Sequence, residues 1–269
     1  MTNRLDAKLS ALKSSKEGAL VTFVTAGDPF PTVQGTADVV LELAHAGADI
    51  IELGIPYSDP LADGPSIQAS SQRALESGIT PPMVFDIVRA VRRGSDIPIV
   101  LMTYYNPVLQ YGLARFADQM QDAGADGVIL TDLPPEEAGA WKGIADQRGI
   151  ATIFLLAPTS TEERIKAVAS QMQSGFVYCV SRSGVTGARK DVPEELHSLV
   201  RQIRARTSLP ICVGFGISSS EHVRYIVAFA DGVVIGSALV DFLKNNSNNP
   251  AWKGPLAQLV SQWKQGTRA

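Results

Sequence analysis

A parallel (β/α)8 barrel of the α/β class is the fold that this 269-residue chain predicts, and three observations point to it. Short, nearly continuous apolar runs alternate about eight times with helical stretches, as parallel strands covered on both faces do. Ala-Gly-Ala-Asp occurs at 46–49 and again at 123–126, and Phe-Ala-Asp-Gly at 229–232 repeats it in abbreviated form. In each case a small residue or Gly ends a helix and the next strand opens within about three residues, a short αβ loop. Finally, no shift in composition marks a second domain. About eight βα units at this length close on themselves rather than leave an open sheet. The expectation is one TIM-barrel domain over 1–269, with an N-terminal capping helix and extra helices after strands 2 and 8.

The elements follow in order. Leu5, Leu9 and Leu12 share one face of an N-terminal helix, which lacks the apolar core of a signal peptide. Strands are expected at 19–25, 49–53, 97–102, 127–131, 150–155, 176–180, 209–214 and 232–235. Helices are expected at 32–45, 82–92, 113–123, 136–147, 161–169, 193–206 and 219–229. The widest gap, between the second and third strands, leaves room for an extra helix at 66–75. Beyond the eighth strand a short helix begins near Ser237, and after the Asn-rich stretch 244–250 a last one covers 254–264. Several starts carry capping chemistry: Thr161 ahead of Arg164, Pro193 before two glutamates, and the serines at 218–220.

Composition narrows the function classes. A hydrophobic share of 45% and a charged share of 19% describe an ordinary globular chain, and a net charge of −3 with scattered basic residues argues against a nucleic-acid or anionic-membrane partner. No apolar run reaches membrane-spanning length, so the expected location is the cytoplasm. Both cysteines, Cys179 and Cys212, sit inside apolar strands and read as buried thiols.

Barrel active sites lie at the C-terminal ends of the strands. There the stretch 52–65, Glu-Leu-Gly-Ile-Pro-Tyr-Ser-Asp-Pro-Leu-Ala-Asp-Gly-Pro, holds the chemistry. Glu52 is a carboxylate in an apolar strand, costly unless partnered or functional. Asp63 follows eleven residues later on the adjoining loop. Two such acids can build a proton-transfer site; the alternative is a structural loop with solvated acids. Gly214-Phe215-Gly216 and Gly236-Ser237, at the last two strand ends, are suited to a phosphate cradle, the second at the start of a helix. The competing reading is a pair of tight turns. Phe23, Met102, Leu155, Tyr178, Phe215 and Val234 make the mouth apolar and aromatic, a fit for a planar ring carrying a phosphate. The three histidines fall on helices and no lysine stands at a strand end, which disfavours a His-ligated metal and Schiff-base chemistry. The dinucleotide fingerprint after the first strand is missing.

Four segments, FVTAGDP (23–29), ELGIPYSDPLADGP (52–65), SRSGVTG (181–187) and GFGIS (214–218), resemble the α chain of tryptophan synthase. The resemblance spans the barrel, and the second segment is highly specific. It implies retro-aldol cleavage of indole-3-glycerol phosphate to indole and glyceraldehyde 3-phosphate. Glu52 matches the family's catalytic glutamate, the proton shuttle, and Asp63 its catalytic aspartate, which stabilises the indole N–H. Substrate contacts carried over are Phe23, Met102, Tyr178, Thr186, Gly187, Phe215, Gly216, Gly236 and Ser237, with Thr186 on a lid, and Ile129 and Val234 join them from their places at strand ends. The resemblance further implies docking on a β chain through Ile55, Pro56, Tyr57, Asp59, Asn106 and Pro107, in an α2β2 tetramer. Pyridoxal phosphate would belong to that β chain, and this chain would need no cofactor. Tyr57 stands where phenylalanine is usual and Met102 where leucine often is. Other phosphate-binding barrels of the same pathway, a stand-alone indole-releasing lyase and a catalytically idle activator of the β chain are the competing readings.

Overall fold

The computed structural model describes residues 3–180, 194–214 and 216–268. Its strands are all parallel. They are β1 (Ala19–Thr25), β2 (Ile50–Gly54), β3 (Ile99–Thr103), β4 (Gly127–Leu130), β5 (Ala151–Ile153), β6 (Leu155–Leu156), β7 (Val177–Val180), β8 (Ile211–Gly214) and β9 (Gly232–Ile235). Hydrogen bonds order them β5-β4-β3-β2-β1-β9-β8-β7-β6. β5 and β6 are two pieces of one run, interrupted at Phe154, so the two ends of the sheet meet there and the eight-stranded barrel closes. Phe154 spans the seam: its carbonyl accepts the N–H of Tyr178 at 3.1 Å.

Around the barrel lie α2 (Val33–Ala46), α3 (Pro65–Glu76), α4 (Pro81–Arg92), α5 (Tyr105–Tyr111), α6 (Leu113–Ala123), α7 (Gly139–Gln147), α8 (Glu162–Gln171), α9 (Glu194–Arg204), α10 (Ser220–Val227), α11 (Ser237–Asn246) and α12 (Lys253–Gly266), with a 3-10 turn at Pro135–Glu137. The run expected as one helix over 136–147 is thus a 3-10 turn followed by α7. Helix α1 (Arg4–Ser15) plugs the bottom of the barrel: Leu5, Leu9 and Leu12 are buried among the inward-facing Val21, Ile50 and Phe176. Each leucine so buried contributes about 1.5–3 kcal/mol.

Helix α5 is an addition to the expected elements, because Asn106-Pro107 reads locally as a turn. Proline is tolerated in a first helical turn, where its missing N–H had no intrahelical acceptor. The N–H of Tyr105 is satisfied instead by Asp132 Oδ1 at 2.6 Å, a side chain from beyond the next strand.

The repeated aspartates have a common task. Asp49 donates its N–H to the carbonyl of Leu20 and accepts the N–H of the same residue on Oδ2, at 2.9 Å each. Asp126 does this to Ile99 and Asp231 to Ile211. Each carboxylate closes the first rung of a parallel ladder, where a backbone donor would otherwise be buried unpaired. A cation neutralises each one: Lys264 from α12, Arg92 with Arg4, and Arg204.

Candidate active site

Parallel pairing fixes which residues share the barrel mouth. Phe23 is level with Glu52, Glu52 with Val100, Met102 with Ile129, Leu155 with Tyr178, and Gly214 with Val234. Two strand glycines make room for the aromatic walls. A Cβ on Gly54 would stand 2.7 Å from Phe23 Cζ, and one on Gly214 2.5 Å from Tyr178 Oη. Both ring tips therefore occupy space that only glycine leaves free, and a side chain at either position would displace them. Beside them Ile67, Ser71, Thr103 and Tyr104 line a small pocket that also reaches Asp63.

Glu52 is 1% exposed, and its Oε2 has no hydrogen-bond partner among the described residues. Burial, and then the charge of Asp63, push its carboxyl up to about 8. An orphan carboxyl in an apolar barrel is costly, and it is held in its neutral form near pH 7. Asp63 is pushed up to about 6 by burial, against a lowering hydrogen bond from Tyr104. Between these two values the pair holds one proton: Asp63 is ionised and Glu52 is not. Burial, with Glu52 next in weight, raises the Tyr178 hydroxyl well above its ordinary value, so it is a neutral donor.

Just past β9, Gly236 stands at the N-cap of α11 and supplies no side-chain cap. The first N–H groups of that helix therefore lack intrahelical acceptors, and its dipole favours an anion. Gly216, at φ +47°, is on the neighbouring turn, and Ser237 is exposed. The expected cradle residues thus stand at neighbouring strand ends. Among the described residues no group of three or more His, Cys, Asp and Glu is placed to hold a metal ion. Thr186, Gly187 and Phe215 lie outside the described residues, as does Arg182.

The family model described as tryptophan synthase alpha chain matches residues 9–267. The chain belongs to the tryptophan synthase alpha chain family. It is 51% identical to the tryptophan synthase alpha chain of Geotalea daltonii over 266 residues, 99% of each chain. To that of Geobacter sulfurreducens it is 52% identical over 238 residues, covering 88% of this chain and 89% of the relative. Among solved structures, tryptophan synthase subunit alpha from Legionella pneumophila superposes with a TM-score of 0.91 at 37% identity, covering 99% of both chains. The tryptophan synthase a2b2 complex of Pyrococcus furiosus contains a chain matching at TM-score 0.85 and 41% identity, over 92% of this chain and 98% of that one. With family membership comes the lyase class of the alpha reaction and a place in tryptophan biosynthesis.

One residue of the mouth was given no role by the sequence. Tyr104, 5% exposed, accepts the N–H of Ala62 on its hydroxyl at 2.9 Å, which leaves its one hydrogen for Asp63. Only its position past the third strand, two residues after Met102, hinted at this. Its bond lowers the Asp63 carboxyl, so Tyr104→Phe should raise it further and reduce the ionised fraction at acid pH. We expect kcat/KM to fall roughly two- to ten-fold, more at pH 6 than at pH 8, in a pH-resolved assay. A uniform loss across pH would detach Tyr104 from Asp63.

The residues expected to meet a β chain divide by exposure. Ile55, 4% exposed, and Pro56 are buried, because Ile55 donates its N–H to Met102 and continues the ladder. They shape the loop from beneath. Asp59 and Asn106 are exposed, and Tyr57 and Pro107 half-buried. Leu61, 91% exposed, and Leu109, 51% exposed, flank them and were not anticipated, since single leucines in a polar loop carry no periodic signal. The Tyr57 hydroxyl accepts Asn106 Nδ2 at 3.3 Å, and its ring packs on Tyr104 with centroids 5.1 Å apart.

Proposed function

We propose that this chain cleaves indole-3-glycerol phosphate to indole and glyceraldehyde 3-phosphate, with Glu52 and Asp63 as its catalytic residues. The observation that carries the reading is the buried Glu52 carboxyl, whose Oε2 has no partner among the described residues, raised to about 8 beside a second acid raised to about 6. A neutral Glu52 starts the cycle as the acid and protonates C3 of the indole. Positive charge then develops on the ring, and ionised Asp63 accepts the ring N–H and offsets that charge. The Glu52 carboxylate left behind takes the proton of the glycerol hydroxyl next to the breaking bond. As the C–C bond breaks, its electron pair returns to the ring and the hydroxyl carbon becomes the aldehyde. Glu52 ends protonated, as it began, and no proton is consumed overall.

Phe23, Met102, Ile129, Tyr178 and Val234 wall the indole, with Phe215 as the remaining wall. Gly216, Gly236 and Ser237 take the phosphate, together with Gly187. Thr186, outside the described residues, is assigned by the family resemblance to a lid that orients Asp63. The reaction is acid–base throughout and asks for no cofactor in this chain. Pyridoxal phosphate is assigned to a partner β chain in an α2β2 tetramer, in the cytoplasm, with the alpha chain as one domain over 1–269. Among the described residues no helix is long and apolar enough to cross a membrane.

The β chain meets the face of Tyr57, Asp59, Asn106 and Pro107. The exposed leucines beside them support this, since large apolar side chains at a rim are docking features when they cluster. Tyr57→Ala with Leu61→Ser should weaken β-chain binding by about ten-fold or more, and unaltered affinity in titration calorimetry would remove that face. The direct test of the function is indole release from indole-3-glycerol phosphate, with and without a β chain. Absence of indole in both conditions would sink the proposal.

A further inference from the structure

Helix α3 follows Asp63 almost directly, yet it is not seated as its neighbours are. The buried residues of α4 include Val84, Phe85, Ile87 and Val88, an ordinary apolar face. Those of α3 are Ser70, Ser71 and Ala74. Directional polar contacts hold α3 instead, and they fall along one side of the helix, at spacings of four and three residues. Ser66 Oγ donates to Asp241 Oδ2 of α11 at 3.0 Å. Ser70 Oγ gives its hydrogen to the carbonyl of Ile67 at 2.8 Å. The hydroxyl of Thr25, 2.6 Å from it and buried at the end of β1, must therefore be the donor of that pair. Arg73 Nε and Nη2 donate to the two oxygens of Asp28, at 2.6 and 2.8 Å. The Asp28 side chain is 2% exposed and that of Arg73 31%, so the two-pronged contact is largely shielded from water. A guanidinium fork on a carboxylate fixes orientation as well as distance.

The helix so held carries two parts of the mouth. At its head Gln68 Nε2 donates to the carbonyl of Asp63 at 2.8 Å, so the Asp63 loop moves with the helix. In the same first turn Ile67 abuts the cradle: a Cβ on Gly236 would lie 3.5 Å from Ile67 Cδ1. We propose that Arg73 and Asp28 are positioning residues of the reaction, whose ion pair, with the Thr25–Ser70 contact, seats α3 and thereby sets Asp63 over the mouth. This rests on the reading of Asp63 as the carboxylate that receives the indole N–H. Neither Arg73 nor Asp28 takes part in bond making. They act through the placement of the helix.

The test measures indole release from indole-3-glycerol phosphate by the full chain, beside its thermal midpoint. Arg73→Lys keeps a charge beside Asp28 but loses the fork. It should hold the midpoint while kcat falls about ten-fold or more, as a misplacement of about an ångström can produce, with KM changing less. Arg73→Met strands a buried carboxylate and should lose both stability and kcat. In Asp28→Asn with Arg73→Met no charge is stranded, so the midpoint should rise again while kcat stays low. A kcat that recovers together with the midpoint would make the pair merely structural and overturn the proposal, as would wild-type kcat in Arg73→Lys. Asp63→Asn, assayed in parallel, separates the two claims. If that variant keeps wild-type turnover, the role of Asp63 itself fails. If it is impaired while the Arg73 variants are not, only the clamp fails.

Discussion

Glu52→Gln is expected to reduce indole release by about 10²- to 10⁴-fold while making the folded chain more stable at alkaline pH. The loss follows because glutamine keeps the shape of the side chain but can neither give a proton to C3 nor take one from the hydroxyl. The gain follows from linkage. The Glu52 carboxyl has an ordinary value of 4.5 and is raised to about 8 in the fold. Between those values the folded chain keeps a proton that the unfolded chain has lost. Stability therefore falls as pH rises through that window, by up to about 1.4 kcal/mol per pH unit. Glutamine has no such slope, so denaturant unfolding at pH 6 and pH 9 should show the variant ahead of the native chain at the higher pH. Parallel losses of stability in the two proteins would mean that Glu52 is not buried as described. Near-native turnover would remove it from the chemistry.

A bell-shaped kcat/KM profile is the second large expected effect, with limbs on either side of about pH 7 set by Asp63 at about 6 and Glu52 at about 8. Such a profile reports the free enzyme, and its two values belong to the coupled pair. The active form has Asp63 ionised and Glu52 protonated. Asp63→Asn should lower kcat/KM by about 10²-fold and abolish the acidic limb. Because the charge of Asp63 is the second cause that raises Glu52, the alkaline limb should also move to lower pH. An alkaline limb that stays in place would show that the two carboxyls do not sense each other.

Much of this fold is legible because its signals are local and repeated. β1 and β9 fall at the boundaries expected for them, as does α6, since apolar runs and glycine stops are written within a few residues. Ala-Gly-Ala-Asp at 46–49 and 123–126 announces the helix-to-strand turn, but not why it ends in aspartate. The partner of that carboxylate is a backbone N–H at the start of a strand some 30 residues earlier at both places, which no local window contains. Helix α5 was hidden for the same reason, since its first N–H is capped by Asp132 from beyond the next strand. Tyr104 looked like one aromatic among several, and only the fold brings its hydroxyl to the Asp63 loop. The resemblance put Ile55 and Pro56 on a docking surface, and the ladder beyond β2 takes both under cover.

The amino-acid sequence alone determined the class of this protein, the barrel, its two acids and its glycine turns, because periodicity, composition and short motifs are properties of neighbouring residues. Tertiary structure decided the rest. It buried Glu52 in an apolar barrel with no partner for its Oε2 among the described residues, set Asp63 between Tyr104 and a helix held by Arg73, and turned Leu61 outward. Those are distances between residues far apart in the chain, and a carboxyl's proton affinity depends on the water and charges around it in space rather than on its neighbours in sequence.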